Sequence, residues 1–285
     1  MRRDTGSLTK VTAGVTNPPQ LKSDMRHLSE FKEEIKSSAV ERPQHGIMTG
    51  VRVLDECGGL LPGEITLIGG TTASFKTTLA INMAVNAAKG GVPAMFIGME
   101  MLERYVAASV MRLSDDNFGL PDCFDIPLWI DCGVNDFVSL LINVVRGRCM
   151  APDPIRLFVV DDVEFLSGVD GVGASKIAMR LNALAEKTGA HILFTAREPR
   201  RRDEIGPSIR FERYEAAQNI ISVCRPGLYD KPVNYAPDVV ITGFEGDDKP
   251  DADLLVIRHL MGRTTGVGGA CVMRREGDGR MINIY

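Results

Sequence analysis

The sequence predicts an α/β protein with a mainly parallel central sheet, helices flanking it, and antiparallel strands at one edge near the C-terminus. Three observations carry this. Short apolar runs of strand length alternate with helix-length amphipathic segments through the first 200 residues, the pattern of βαβ units. A glycine-containing turn joins the first apolar run directly to a long helix-forming stretch. The closing strands follow one another without long helices between them, which implies antiparallel pairing.

In chain order, residues 1–24 are polar, contain Pro18 and Pro19, and show no periodicity, so they read as a flexible tail. Residues 25–45 read as a linker helix and its exit. Met25, Leu28, Phe31 and Ile35 recur at helical spacing, with Glu33, Glu34 and Lys36 on the other side. An isolated amphipathic helix must bury its stripe on its own domain or on a neighbouring subunit. The main domain spans residues 46–285. GGLLPGE at 58–64 is turn chemistry leading into the buried strand ITLI at 65–68. LAINMAVNAAK at 79–89 is a helix closed by Gly90 and Gly91, and VPAMFI at 92–97 a second strand. Further helices are expected at about 102–113, 135–147 and 174–188, and strands at about 156–160, 191–195, 220–224, 254–258 and 270–274.

Bulk properties narrow the class. With 285 residues, 44% hydrophobic, the chain can bury one sizeable core. A net charge of −4 provides no global positive field, so any nucleic-acid contact must be a local patch. The six cysteines form no CxxC pair, against a zinc ribbon or disulfide framework and in keeping with a reducing cytoplasm. No apolar run of about 18 residues suggests a membrane span, and the N-terminus lacks the apolar segment of a secretory signal.

The chemistry concentrates at Gly70-Thr71-Thr72-Ala73-Ser74-Phe75-Lys76-Thr77, followed by Thr78. It fits the phosphate-binding pattern G-x4-G-K-[ST], except that Phe75 stands at the second glycine. A buried strand precedes it and a helix follows, so loop N–H groups and the helix N-terminus converge on one anion. Lys76 is expected to reach the β- and γ-phosphates of ATP, and the Thr77 hydroxyl to ligate Mg²⁺. Phe75 resists the backbone angles a glycine permits, so a shifted loop and weaker affinity are expected. RLFVVDD at 156–162 is an apolar strand ending in acids, and Asp161 is the better candidate for the magnesium shell. Glu100, just past the second strand, is the candidate general base; the alternative is an acid stabilising a helix N-terminus.

With these residues in place, the chain from 46 to 285 resembles the ATPase domain of DnaB-type replicative hexameric helicases, a branch of the RecA-like P-loop NTPases. The matching pieces are TGVRVLD at 49–55, GGLLPGE at 58–64, the phosphate loop, IGMEM at 97–101, VVD at 159–161 and RHLMGR at 258–263. The resemblance implies that Glu100 is the catalytic glutamate, that the chain is a subunit of a homo-oligomeric, hexameric ring, and that residues 25–38 dock on the neighbour. It also implies that Arg258, or Arg263 close by, reaches in trans into the next subunit's nucleotide. The sequence departs from the family at two points. The sensor glutamine after the fourth strand falls near Thr195, Ala196 and Arg197, and the second member of a Lys-x-Arg pair is replaced by Leu260. The family's N-terminal domain is missing from the roughly 45 residues ahead of the core.

By the same resemblance two loops face the ring's channel. Residues 166–176 hold three glycines and Lys176; residues 197–213 hold six arginines against four acids, and Arg197, Arg200, Arg201, Arg202 and Arg210 are the candidate single-stranded DNA contacts. A solvated loop with internal ion pairs is the alternative. Two functions are therefore expected in competition. One is an ATP-driven helicase or translocase, bacterial or phage-encoded and working in the cytoplasm with primase or other replication and recombination proteins. The other is a RecA-like regulatory or assembly factor with weak or no hydrolysis.

Overall fold

The computed structural model describes residues 46–114, 125–166, 174–197, 216–225, 252–262 and 268–284. The expected tail, linker helix and channel loops at 167–173 and 198–213 lie outside them, as does Arg263. Among the described residues the helices are α1 (Arg52–Asp55), α2 (Lys76–Lys89), α3 (Glu103–Ser114), α4 (Phe137–Cys149) and α5 (Ala174–Thr188). The strands are β1 (Ile65–Gly70), β2 (Ala94–Gly98), β3 (Leu128–Asp131), β4 (Leu157–Asp161), β5 (His191–Arg197), β6 (Asn219–Cys224), β7 (Leu254–Gly262), β8 (Gly269–Arg275) and β9 (Met281–Asn283). They form one sheet in the order β3-β2-β4-β5-β1-β6-β7-β8-β9. The six strands from β3 to β6 in that order pair in parallel, and the β6-β7-β8-β9 edge pairs antiparallel, as expected from the missing helices.

The central strands alternate strictly between two cores. Ile68, Phe96, Leu157, Val159, Leu193 and Ile221 face the layer of α2 and α3, where Leu79, Met83, Val106 and Val110 are buried. Ile65, Leu67, Phe158, Val160, Ile192 and Phe194 face α4 and α5, where Leu140, Val144, Ile177 and Leu181 meet them. Continuous apolar runs are what a strand covered on both faces requires, and each buried Leu or Phe contributes roughly 1.5–3 kcal/mol. This three-layer arrangement aligns the carboxyl ends of β1, β2, β4, β5 and β6 along one edge, where parallel sheets place ligands.

Two strands escaped the sequence reading. LWID in β3 lies at the sheet edge with Trp129 43% exposed, so no buried apolar run marks it. The three-residue β9 is equally short of burial. Helix α4 starts two residues later than expected because Asp136 caps it, accepting from the Val138 and Ser139 amides at 2.8 and 2.9 Å. The TGVRVLD segment has a local physical role: Asp55 accepts from the Thr49 amide and hydroxyl and from the Gly50 amide, each at 2.8 Å, tying the domain entry into a turn. Among the described residues no helix is long and apolar enough to cross a membrane.

Candidate functional site

The loop leaving β1 and the start of α2 enclose a cavity of about 310 Å³ lined by residues 72–77 together with Glu100, Asp162 and Arg197. The loop is tight. A Cβ at Gly70 would come within 2.6 Å of the Val223 carbonyl and 2.7 Å of Ser74 Oγ, so no side chain fits there. Lys76 is almost fully buried, and its Nζ donates to the Thr71 carbonyl at 2.9 Å. Burial pulls its pKa down, opposed by the negative charge of Asp162, Asp161 and Glu164. Ser74 Oγ is buried with no hydrogen-bond partner among the described residues, in the lining of this cavity two residues ahead of α2. An orphaned hydroxyl there suits an anionic oxygen. Thr78 lies one residue further along, at the mouth of a second, adjoining cavity of about 200 Å³.

The acids arrive from β4. Asp161 is buried and accepts from Thr77 Oγ1 at 2.9 Å and from Thr195 Oγ1 at 2.8 Å. Burial pushes its pKa up to about 6 despite those two donors. Ionising Asp161 therefore opposes folding as pH rises from its unfolded value near 4 through about 6. A divalent cation beside Thr77 and Asp161 would reverse that sign, and a hydroxyl–carboxylate pair is a donor set suited to a hard cation. Asp162 turns to a left-handed backbone, φ 63°, and enters the cavity, while Glu164 in the following 3₁₀ turn is raised by burial to about 7.

Glu100 sits just beyond β2 on the cavity rim, with Arg197 donating to its Oε2. Sequence reasoning grouped Arg197 with the channel-loop arginines; the structure places its side chain in this cavity. As the last residue of β5 it lies in register with Gly70. Its Nη2 also donates to Asp162 Oδ2 at 2.8 Å, and its guanidinium lies 4.8 Å from the Phe165 ring centre. Asp162 hydrogen bonding, set against burial, holds this guanidinium firmly protonated. Arg258 is not brought to the cavity. It lies mid-strand on β7, opposite Ser222 and Ala270 and half-buried.

Phe75 keeps the helix start in place by adopting left-handed angles itself, φ 66° and ψ 23°. A side chain there costs roughly 1–2 kcal/mol. Two guanidiniums lie against its ring, Arg225 at 4.1 Å and Arg275 at 4.5 Å from the centroid. Each is anchored elsewhere: Arg225 to the Ala252 carbonyl and Arg275 to Asp253 Oδ1 at 2.7 Å. Such contacts contribute about 0.5–1 kcal/mol each at a partly exposed site, enough to offset the strain. Glycine relieves the strain and alanine does not, while both lose the ring. Phe75→Gly is thus expected to unfold in urea with about 1 kcal/mol more stability than Phe75→Ala. Equal stabilities would show that the left-handed angle carries no strain.

The residues that sequence reasoning missed are Thr195, Glu164, Arg225 and Arg275, and Asp162 it ranks second to Asp161. Thr195 alone left a signal, a hydroxyl interrupting the buried run HILFTA.

No protein-family model matches the sequence, and no curated protein matches it. Solved structures do share its architecture. The chain superposes on a solved ATPase domain with a TM-score of 0.72 at 14% identity, covering 92% of this chain and 100% of that one. It superposes on the helicase of "The Structure Of A DnaB-Like Replicative Helicase And Its Interactions With Primase" with a TM-score of 0.71 at 15% identity, covering 92% and 68%. For "Crystal structure of the RadB recombinase" the TM-score is 0.55 at 17% identity, covering 84% and 100%. The likeness is one of fold: the chain has the RecA-like P-loop ATPase fold.

Proposed function

We propose that residues 46–285 bind MgATP at the carboxyl edge of the sheet and hydrolyse it, and that the chain works as a ring-forming DNA translocase of the replicative helicase type. The observation that carries this reading is the convergence, in one cavity, of loop residues 72–77, buried Lys76 and Glu100, with buried Asp161 accepting from Thr77 of that lining. Lys76 and the loop amides bind and orient the β- and γ-phosphates. Thr77 and Asp161 hold Mg²⁺, which supplies neutralising charge on those phosphates. Glu100 takes the proton of the attacking water. Arg258, half-buried on β7 and absent from the lining of this cavity, is the proposed finger for a neighbouring subunit's nucleotide, with Arg263 as the nearby alternative. Arg200, Arg201, Arg202 and Arg210 are the proposed contacts to single-stranded DNA. Residues 25–45 join subunits, with a hexamer as the expected ring and primase as a candidate partner.

A specific observation favours a second reading. Arg197 occupies the Glu100 carboxylate that a hydrolytic site needs free, which suits a nucleotide-gated assembly factor with slow turnover. ATPase rate against protein concentration, with and without single-stranded DNA, separates the two. The motor reading expects specific activity to rise with concentration and to be stimulated by DNA, because the finger comes from a neighbour. Clear ATP binding with negligible turnover at every concentration would sink it and leave the assembly factor.

A further inference from the structure

Arg197 is the cation in the phosphate cavity to which the motor reading gives no task. Its main chain is fixed, in register with Gly70 on one side and donating its amide to Glu164 Oε1 at 2.6 Å on the other. Only the side chain can move. Nη2 donates to both Glu100 Oε2 and Asp162 Oδ2, and Nε points at both Asp162 oxygens at 3.3 Å. The two carboxylates differ in setting. Glu100's side chain is 55% exposed and Asp162's 8%, so the Glu100 bond is screened and exchangeable while the Asp162 bond is sheltered. Arg197 also lines the same cavity as residues 72–77, close enough that its charge lowers the Lys76 pKa. A terminal phosphate in that cavity brings more negative charge than one carboxylate, and its oxygens match the guanidinium fork.

We propose that Arg197 is a latch on Glu100 that responds to the terminal phosphate: its guanidinium holds the Glu100 carboxylate until a γ-phosphate takes over that contact, so that the cavity selects nucleoside triphosphate over diphosphate. The proposal rests on the cavity binding nucleotide phosphates. No covalent bond changes. The guanidinium pivots about its Asp162 contacts and over Phe165, exchanging one charge-assisted hydrogen bond for another. The exchange frees Glu100 for water only when a phosphate is present to be attacked. A diphosphate does not reach Arg197, so Glu100 stays held.

The test is a pair of titrations in Mg²⁺, one with fluorescently labelled ADP and one with a labelled non-hydrolysable ATP analogue, read as the ratio of the two affinities. Arg197→Ala is expected to lower the preference for triphosphate roughly tenfold or more, with diphosphate binding changed far less. Glu100→Gln holds Arg197 less tightly and is expected to raise that preference roughly two- to fivefold. The gain should vanish in the double variant. A merely structural arginine would weaken both nucleotides together and would leave Glu100→Gln without a gain. Glu100 is exposed, so its variant tests the latch even where Arg197→Ala impairs folding. Unchanged ratios in variants that still bind ADP would overturn the latch alone. A wild-type chain that binds neither nucleotide would overturn the phosphate-site reading and the latch with it.

Discussion

Lys76→Ala is expected to lower the affinity for MgATP by about 100-fold or more, measured by isothermal titration calorimetry. The argument starts from the cost the protein already bears. The ammonium is held almost out of water, with one carbonyl acceptor at 2.9 Å, and burial depresses its pKa. Desolvation opposes its charge, and Asp162, Asp161 and Glu164 oppose that depression in turn. The buried cation therefore also offsets the charge of three nearby acids that would repel phosphate. Without it, an incoming triphosphate loses its partner and meets acids whose charge is less offset. Removing a desolvated ammonium relieves its burial cost while taking away its coulombic support of those acids, so the opposed effects act on folding less than on binding. A circular-dichroism melt checks that the variant is folded. Folded Lys76→Ala protein with wild-type affinity would remove the loop from nucleotide binding.

The contrast between Lys76 and Arg197 shows what could be read from the sequence and what could not. Lys76, Thr77 and Asp161 are tied to local signals: a loop between an apolar strand and a helix, and an acid closing an apolar run. Their meeting needs only β1 and β4 in one parallel sheet, and alternating apolar segments imply that sheet. The antiparallel edge was legible for the same reason, from strands that follow one another without helices. Arg197 is different. In sequence it heads an arginine-rich loop, and composition assigns it to that loop. Whether its side chain turns outward or into the cavity depends on β5 lying beside β1, a register set by the whole sheet. Arg225 and Arg275 are harder still. They reach Phe75 from β6 and β8, and nothing near Phe75 in sequence signals that two guanidiniums will stack on it. The left-handed angle at Phe75 is the local cost, and its compensation comes from the far end of the chain.

Glu100→Gln is expected to lower the ATP turnover number by about 100-fold or more without weakening nucleotide binding, because a positioned general base contributes about 10²- to 10⁴-fold. Glutamine matches the volume and can still accept a hydrogen bond from Arg197 through its carbonyl oxygen, so the rim of the cavity keeps its shape. It cannot accept a proton from water. Steady-state turnover at saturating ATP, with affinity measured alongside, separates the two effects. Turnover equal to wild type would remove Glu100 from the base role. The next carboxylate is then Glu164, which burial raises to about 7, a value suited to proton transfer near neutrality. Glu164 already accepts the Arg197 amide, however, and it is absent from the cavity lining that holds Glu100. Geometry therefore ranks Glu100 first, since a base that cannot reach the water gains nothing from its pKa.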